Sequence, residues 1–243
     1  MTERTRSLRK ALLEGLVIVA SILIAFALDA SWDSYQEAQA EQEILRSLLA
    51  EFEEAAERIA ATIEEEKRSL AASASLMDHL GPTPPDLPAD SMEALVFTIY
   101  AVNTLEVPAG ALNSLLASGD LGLISSDSIR RALTRWPALV SDVRENHDWQ
   151  RETTDNVIIP HISRHVAVRS AARRLEYATW GPSSFTLDPG PLQRDPVFEG
   201  LLSWGVARQT ARLLESEILL DACLELVAMV RRELDAGAAQ HQL

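Results

Sequence analysis

LDASWDSYQEAQAEQEILRSLLAEFEEAAERIAATIEEE, Leu28 to Glu66, holds neither glycine nor proline and is dominated by alanine, leucine, glutamate and glutamine. These residues lose little conformational freedom in a helix, so the stretch predicts one long, unbroken helix. Its apolar positions step by fours and threes through Leu45, Leu49, Phe52, Ala56, Ile59 and Ile63. After a polar break at Glu66 the pattern resumes at Leu70, Met77 and Leu80. That is a heptad seam, which requires the helix to pack lengthwise against others. Twelve acids and four bases between Asp29 and Arg68 give a local charge of −8. This is read as a solvated face, the alternative being a binding surface for a cationic partner.

Upstream, Arg4, Arg6, Arg9 and Lys10 outnumber the single acid Glu3, and Gly15 to Leu28 (GLVIVASILIAFAL) carries no charge. Basic residues followed by an apolar run place the start of a chain inside the cell and carry the rest outward. The expectation is a cytoplasmic tail at 1–10, a transmembrane signal anchor at 11–31 in contact with membrane lipid, and an exported domain at 32–243. The uncharged run covers roughly 21 Å against a hydrocarbon core of about 30 Å. Its flanks must therefore help: Leu8 to Ala11 bury their stems while Arg9 and Lys10 snorkel, and Trp32 and Tyr35 take interfacial positions. Glu14 and Asp29 fall near the two headgroup levels. Ala25-Phe26-Ala27 has the form of a signal-peptide cleavage site, which is the competing reading. Because no helix breaker follows, an uncleaved anchor fits better.

Downstream, GPTPPDLPAD (Gly81 to Asp90) interrupts the helix, since proline removes backbone donors and fixes extended geometry. Asp90 with Glu93 offers a capping pair for a second helix running to about Ser118, bent at Pro108. Gly119-Asp120-Leu121-Gly122 makes a turn. A third helix starts near Ser126 or Asp127, carries Ile129, Leu133, Trp136, Val140 and Val143 on one seam and reaches toward Glu176, with kinks at Pro137 and Pro160, the alternative being that Pro160 splits it in two. ATWGPSSFTLDPGPLQRDP (Ala178 to Pro196) is a second loop, whose Trp180 and Phe185 are expected to pin it to the body. Asp195 followed by Pro196 caps a last helix that repeats Val206, Leu213, Leu220, Val227 and Leu234 every seven residues. The fold class is thus all-α: an N-terminal transmembrane helix continues into a stalk packed in an antiparallel bundle of about four long helices.

Two stretches together resemble a family of uncharacterised bacterial single-pass membrane proteins. One is EGLVIVASILIAFALDASWD, Glu14 to Asp33, where an apolar run ends in aspartate and tryptophan before a glutamate-rich helix. The other is LLASGDLGLISSDSIRRAL, Leu115 to Leu133, a helix end, a glycine turn and a new helix start. The resemblance implies an anchor in the bacterial inner membrane, an N-terminus in the cytoplasm and a periplasmic helical domain. It carries no activity and no functional residue.

The net charge of −14 argues against nucleic acid as a partner. Cys223 is the only cysteine, so no intramolecular disulfide forms, and three residues after Leu220 it falls at a core-type position. His161 and His165, four apart, can share a helical face and hold a metal, with His147 as a further weak candidate, but Ile162 stands where a zinc protease carries glutamate. Continuing the third helix's seam passes through His147, Gln150, Thr154, Val157 and His161, which would place polar groups in the bundle interior. A structural or solvated role is preferred there to a ligand site. Arg164, Arg169, Arg173 and Arg174 are expected to pair with the acidic first helix. Asn146-His147-Asp148 lacks a placed nucleophile and forms no catalytic site. No cofactor is expected. The chain reads as a non-enzymatic membrane-anchored protein acting through a protein partner or as a homo-oligomer; the alternative is a periplasmic ligand- or metal-sensing bundle with a separate signalling partner.

Overall fold

The computed structural model describes residues 2–100, 105–175 and 178–240, with side chains described within these at residue 16 and from 19 to 239. Helix α1 runs unbroken over Thr2–Met77, a length on the order of 110 Å. It is followed by α2 (Ala89–Tyr100), α3 (Gly110–Ser118), a 3-10 turn at Asp120–Leu123 and α4 (Asp127–Thr153). A π-helical turn at Thr154–Ile158 leads into the short α5 (Ile159–Ile162), α6 (Val168–Ala172) and α7 (Gly190–Gln193), and α8 spans Pro196–Gln240. The described residues form no strand.

Three long helices make the body rather than four. The expected second helix is divided: α2 ends at Tyr100, residues 105–109 are irregular, and α3 restarts beyond Pro108. The proline, which cannot donate in a helix interior, sits in the break instead of a bend. Gly119, at φ 81°, closes α3 in the left-handed conformation that glycine adopts without steric cost. α4 begins at Asp127 as expected and passes through Pro137, but ends at Thr153, well short of Glu176; Glu176 itself lies outside the described residues.

The contacts give the directions. Glu53 pairs with Arg231, Phe52 with Cys223, and Glu66 with Arg212, so α8 runs antiparallel to α1. Phe52 meets Trp136 edge-on at 5.0 Å and Glu66 meets His147, so α4 runs parallel to α1. The centre of the buried face of α1 runs through Leu45, Leu48, Phe52, Ala55, Ile59 and Thr62, and then, in the same three-four steps, Glu66, Ser69, Ser73 and Leu76, with Ile63, expected on the seam, and Ala72 buried beside it. The seam therefore does not break at Glu66; it turns polar and continues. Leu49, Ala56 and Leu70, expected at its centre, flank it, and Met77 is exposed. The centre of α8 likewise runs through Leu202, Gln209, Ser216, Cys223 and Val230, with Arg212, Leu219 and Leu226 between. The expected series Val206 to Leu234 lies at its edge, with Val227 alone of the five fully buried.

Two carboxylates from the acidic face of α1 are structural. Glu51 accepts from the Ala111 and Leu112 amides at 2.6 and 3.0 Å, capping the start of α3 from another helix. Glu41 accepts from the Ser125 amide and hydroxyl just before α4. The two loops are joined by Gln193, whose side chain donates to the His79 and Pro85 carbonyls while its own carbonyl accepts from Gly81. Trp180 is held by a bond to the Arg169 carbonyl, but Phe185 projects into solvent and does not pin its loop.

At the other end, every described side chain from 19 to 37 is exposed, including Val19, Ile22, Leu23, Ile24, Phe26 and Leu28. Among the described residues no helix is long and apolar enough to cross a membrane. The side chains of residues 1–15, 17 and 18, including the basic tail and the first part of the expected 11–31 anchor, lie outside those described.

Candidate functional site: a buried polar belt beside an uncharged helix face

The core is two apolar clusters. One joins Phe52, Ile63, Trp136, Val143, Leu219 and Cys223. The other joins Ala72, Leu76, Ile99, Ile158, Phe198 and Leu202. Between them lies a belt of polar side chains contributed by all three long helices. Glu66, fully buried, accepts from Arg212 Nε at 2.7 Å and, at 3.5 Å, from the Ser216 hydroxyl. Arg212 is 2% and His147 6% exposed. His147 Nε2 stands 3.3 Å from Glu66 Oε1, near enough for ion pairing yet without the alignment of a hydrogen bond. This nitrogen, Glu66 Oε2 and Arg212 Nη2 are left without hydrogen-bond partners. Ser73 donates to Gln209, and Ser69 to the Ile99 carbonyl.

Burial is the largest influence on Glu66 and raises its pKa, but the combined pull of His147 and Arg212 overcomes it, so the carboxyl is held below the usual carboxylate range. The belt is a closed ion pair with an imidazole beside it. Its serine hydroxyls are engaged as donors, Ser216 to Glu66, Ser73 to Gln209 and Ser69 to the Ile99 carbonyl.

Around the belt's outer edge, Asn146 donates to Glu215 and accepts from Arg208, whose guanidinium lies 4.6 Å above the Trp149 ring. A slot lined by Trp149, Thr154, Ile158, Trp204 and Gly205 opens there with a volume of about 40 Å³. The π-helical turn sits at its wall, and its extra residue per turn moves the buried stripe of this segment from the expected Val157 and His161 to Ile158 and Ile162. Val157 is left exposed.

The candidate histidines lie in different local structures. His161 bonds Asp195 at 2.8 Å and stacks near Phe198, whereas His165 follows the end of α5 in a turn. His147 belongs to the Glu66 belt. Among the described residues no group of three or more His, Cys, Asp or Glu side chains could hold a metal ion. Asp195 also accepts from the Val197 amide, capping α8 as its sequence predicts, and these bonds hold its pKa below the ordinary value against the opposing effect of burial. Two of the four clustered arginines bond elsewhere than α1: Arg169 donates to the Gly181 carbonyl and Arg174 to the Asp90 carbonyl. Cys223 is fully buried, donates to the Phe52 carbonyl, and its thiol is pushed up to about 12 by burial.

Sequence patterning missed the outer face of α8. Val197, Trp204, Ala211 and Ile218 are exposed and recur every seven residues, with Gly200, Ala207 and Leu214 exposed between them. Trp204 is 61% and Ile218 59% exposed. The intervening exposed residues Ser203 and Thr210 are also uncharged, so from Gly200 to Ile218 this face presents no charge in a chain of net −14. The signal was in the sequence as a second heptad register on a helix that already had one. No protein-family model matches the chain, and no curated protein or solved structure is recognisably similar to it.

Proposed function

We propose that this is a membrane-tethered helical bundle that acts by contact, presenting the uncharged outer face of α8 to another protein molecule. The single observation behind the reading is that face: about five turns of exposed, uncharged helix that carry an exposed tryptophan, Trp204, mark an interaction surface. The tether is part of the proposal, as is membership of the single-pass family described above. It is supported by the basic residues before Gly15 and by the uncharged run that follows them within α1, whose described side chains, Leu16 and Val19 to Leu28, the rest of the chain leaves uncovered; a continuous apolar surface of that kind favours an apolar surrounding. N-terminus in the cytoplasm and bundle in the periplasm follow from the basic flank.

The ligand-sensing alternative is weaker. The polar stretch that suggests it, His147 to His165, borders the Trp149–Trp204 slot, and about 40 Å³ there holds water rather than a small-molecule ligand, whose pockets run to roughly 300–1,000 Å³. The test is a photo-crosslinking side chain in place of Trp204, in the full chain in its native membrane. The expected result is one protein adduct of defined mass at this position and none with the same group at Ala61, exposed on α1. No adduct at Trp204 removes the contact reading.

A further inference from the structure

We infer that the molecule seated on the uncharged face of α8 is a second copy of this chain, parallel and in register. This rests on the contact and tether readings above and adds to them the partner and the geometry.

A partner for this face must bring an uncharged seam of matching spacing, because any buried charge would be left without a counter-charge. The chain itself carries such a seam: Val197, Trp204, Ala211 and Ile218 at one heptad position, Gly200, Ala207 and Leu214 at the other. Small residues at 200, 207 and 211 allow two helices to approach closely around the Trp204 pair. A lipid surface does not fit, because this part of α8 lies beside α1 from about Glu66 outward, roughly 50 Å along the helix from Trp32.

Direction follows from the tether. Two copies leaving one bilayer have their α1 helices parallel, and therefore their α8 helices parallel as well. In that arrangement the flanking positions of one α8 meet those five residues further along the other. Ser203 then faces Arg208, Thr210 faces Glu215, and Glu217 faces Ala222, so no like charges are opposed. The seam from 197 to 218 is about 33 Å long and buries on the order of 1,000 Å² in total, at the lower edge of a specific interface. Confinement to one membrane raises the effective concentration that such a contact needs.

The test is oxidative crosslinking of the full chain in membranes, using the single variants A207C, A211C and L214C, with A61C as the off-face control. Native Cys223 is fully buried and stays silent. All three seam variants are expected to give disulfide-linked dimers, with A61C and the unmodified chain remaining monomeric. Dimers at A211C alone would mean an antiparallel crossing centred there and would overturn the parallel pair. Dimers at none of the three would remove the second copy; a Trp204 photo-adduct of a different mass would then leave the contact reading standing without it, whereas no adduct would remove both.

Discussion

Glu66 occupies a position where the heptad pattern asks for leucine, and the surrounding chemistry explains how it is tolerated. Its charge is met by Arg212 and by His147, each from a different helix. Removing one partner leaves the other charge stranded in the core, so Arg212→Met is expected to cost about 3–5 kcal/mol, while Glu66→Met combined with Arg212→Met recovers most of that loss. Chemical denaturation of the two variants measures both. Because the folded-state pKa of Glu66 lies below its unfolded value, its contribution is fully present above the unfolded pKa of about 4.3 and is lost as pH falls through the folded pKa. The stability of Glu66→Met, Arg212→Met should therefore fall less steeply below about pH 4 than that of the unmodified chain. Little of this was legible beforehand: a pattern built on apolar residues reads glutamate, serine and arginine as breaks, and only three dimensions bring residues 66, 147 and 212 together. The buried thiol of Cys223 and the cap at Asp195, which depend on local spacing, were readable.

Among the elements, local signals fared best where one residue type forces the geometry. The proline-rich stretch after Gly81, the glycine turn at 119–122 and the start of α4 lie where the sequence places them. The π-helical turn has no such marker, and it alone displaces Val157 and His161 from the interior positions that continued periodicity assigns them. Distant caps are equally silent in sequence. Glu51 reads as one more surface acid, yet it closes the first amides of α3 sixty residues away. Glu51→Ala is expected to cost about 1 kcal/mol, a fall in melting temperature of about 2–4 °C in a chain of this size, readable by circular dichroism. An unchanged melting temperature would mean that the cap contributes nothing.

For the whole molecule, α8 is the organising helix: it runs antiparallel to α1 and α4, buries a partly polar seam against them, and turns a second, uncharged seam outward. The polar belt separates two apolar clusters and fixes how the long helices align, since sliding α8 by one turn would strand Glu66 and Arg212 together. A rigid, registered bundle is what a surface repeating every seven residues needs if it is to meet a partner in one alignment. The most direct measurement is maleimide labelling, with a membrane-impermeant reagent, of A61C and I218C in intact cells whose outer envelope has been made permeable. Rapid modification of A61C is expected, with protection of I218C that is lost when the membrane is dissolved. Equal labelling of both positions would contradict an occupied α8 face, and labelling of neither before lysis would contradict a bundle held outside the cytoplasm.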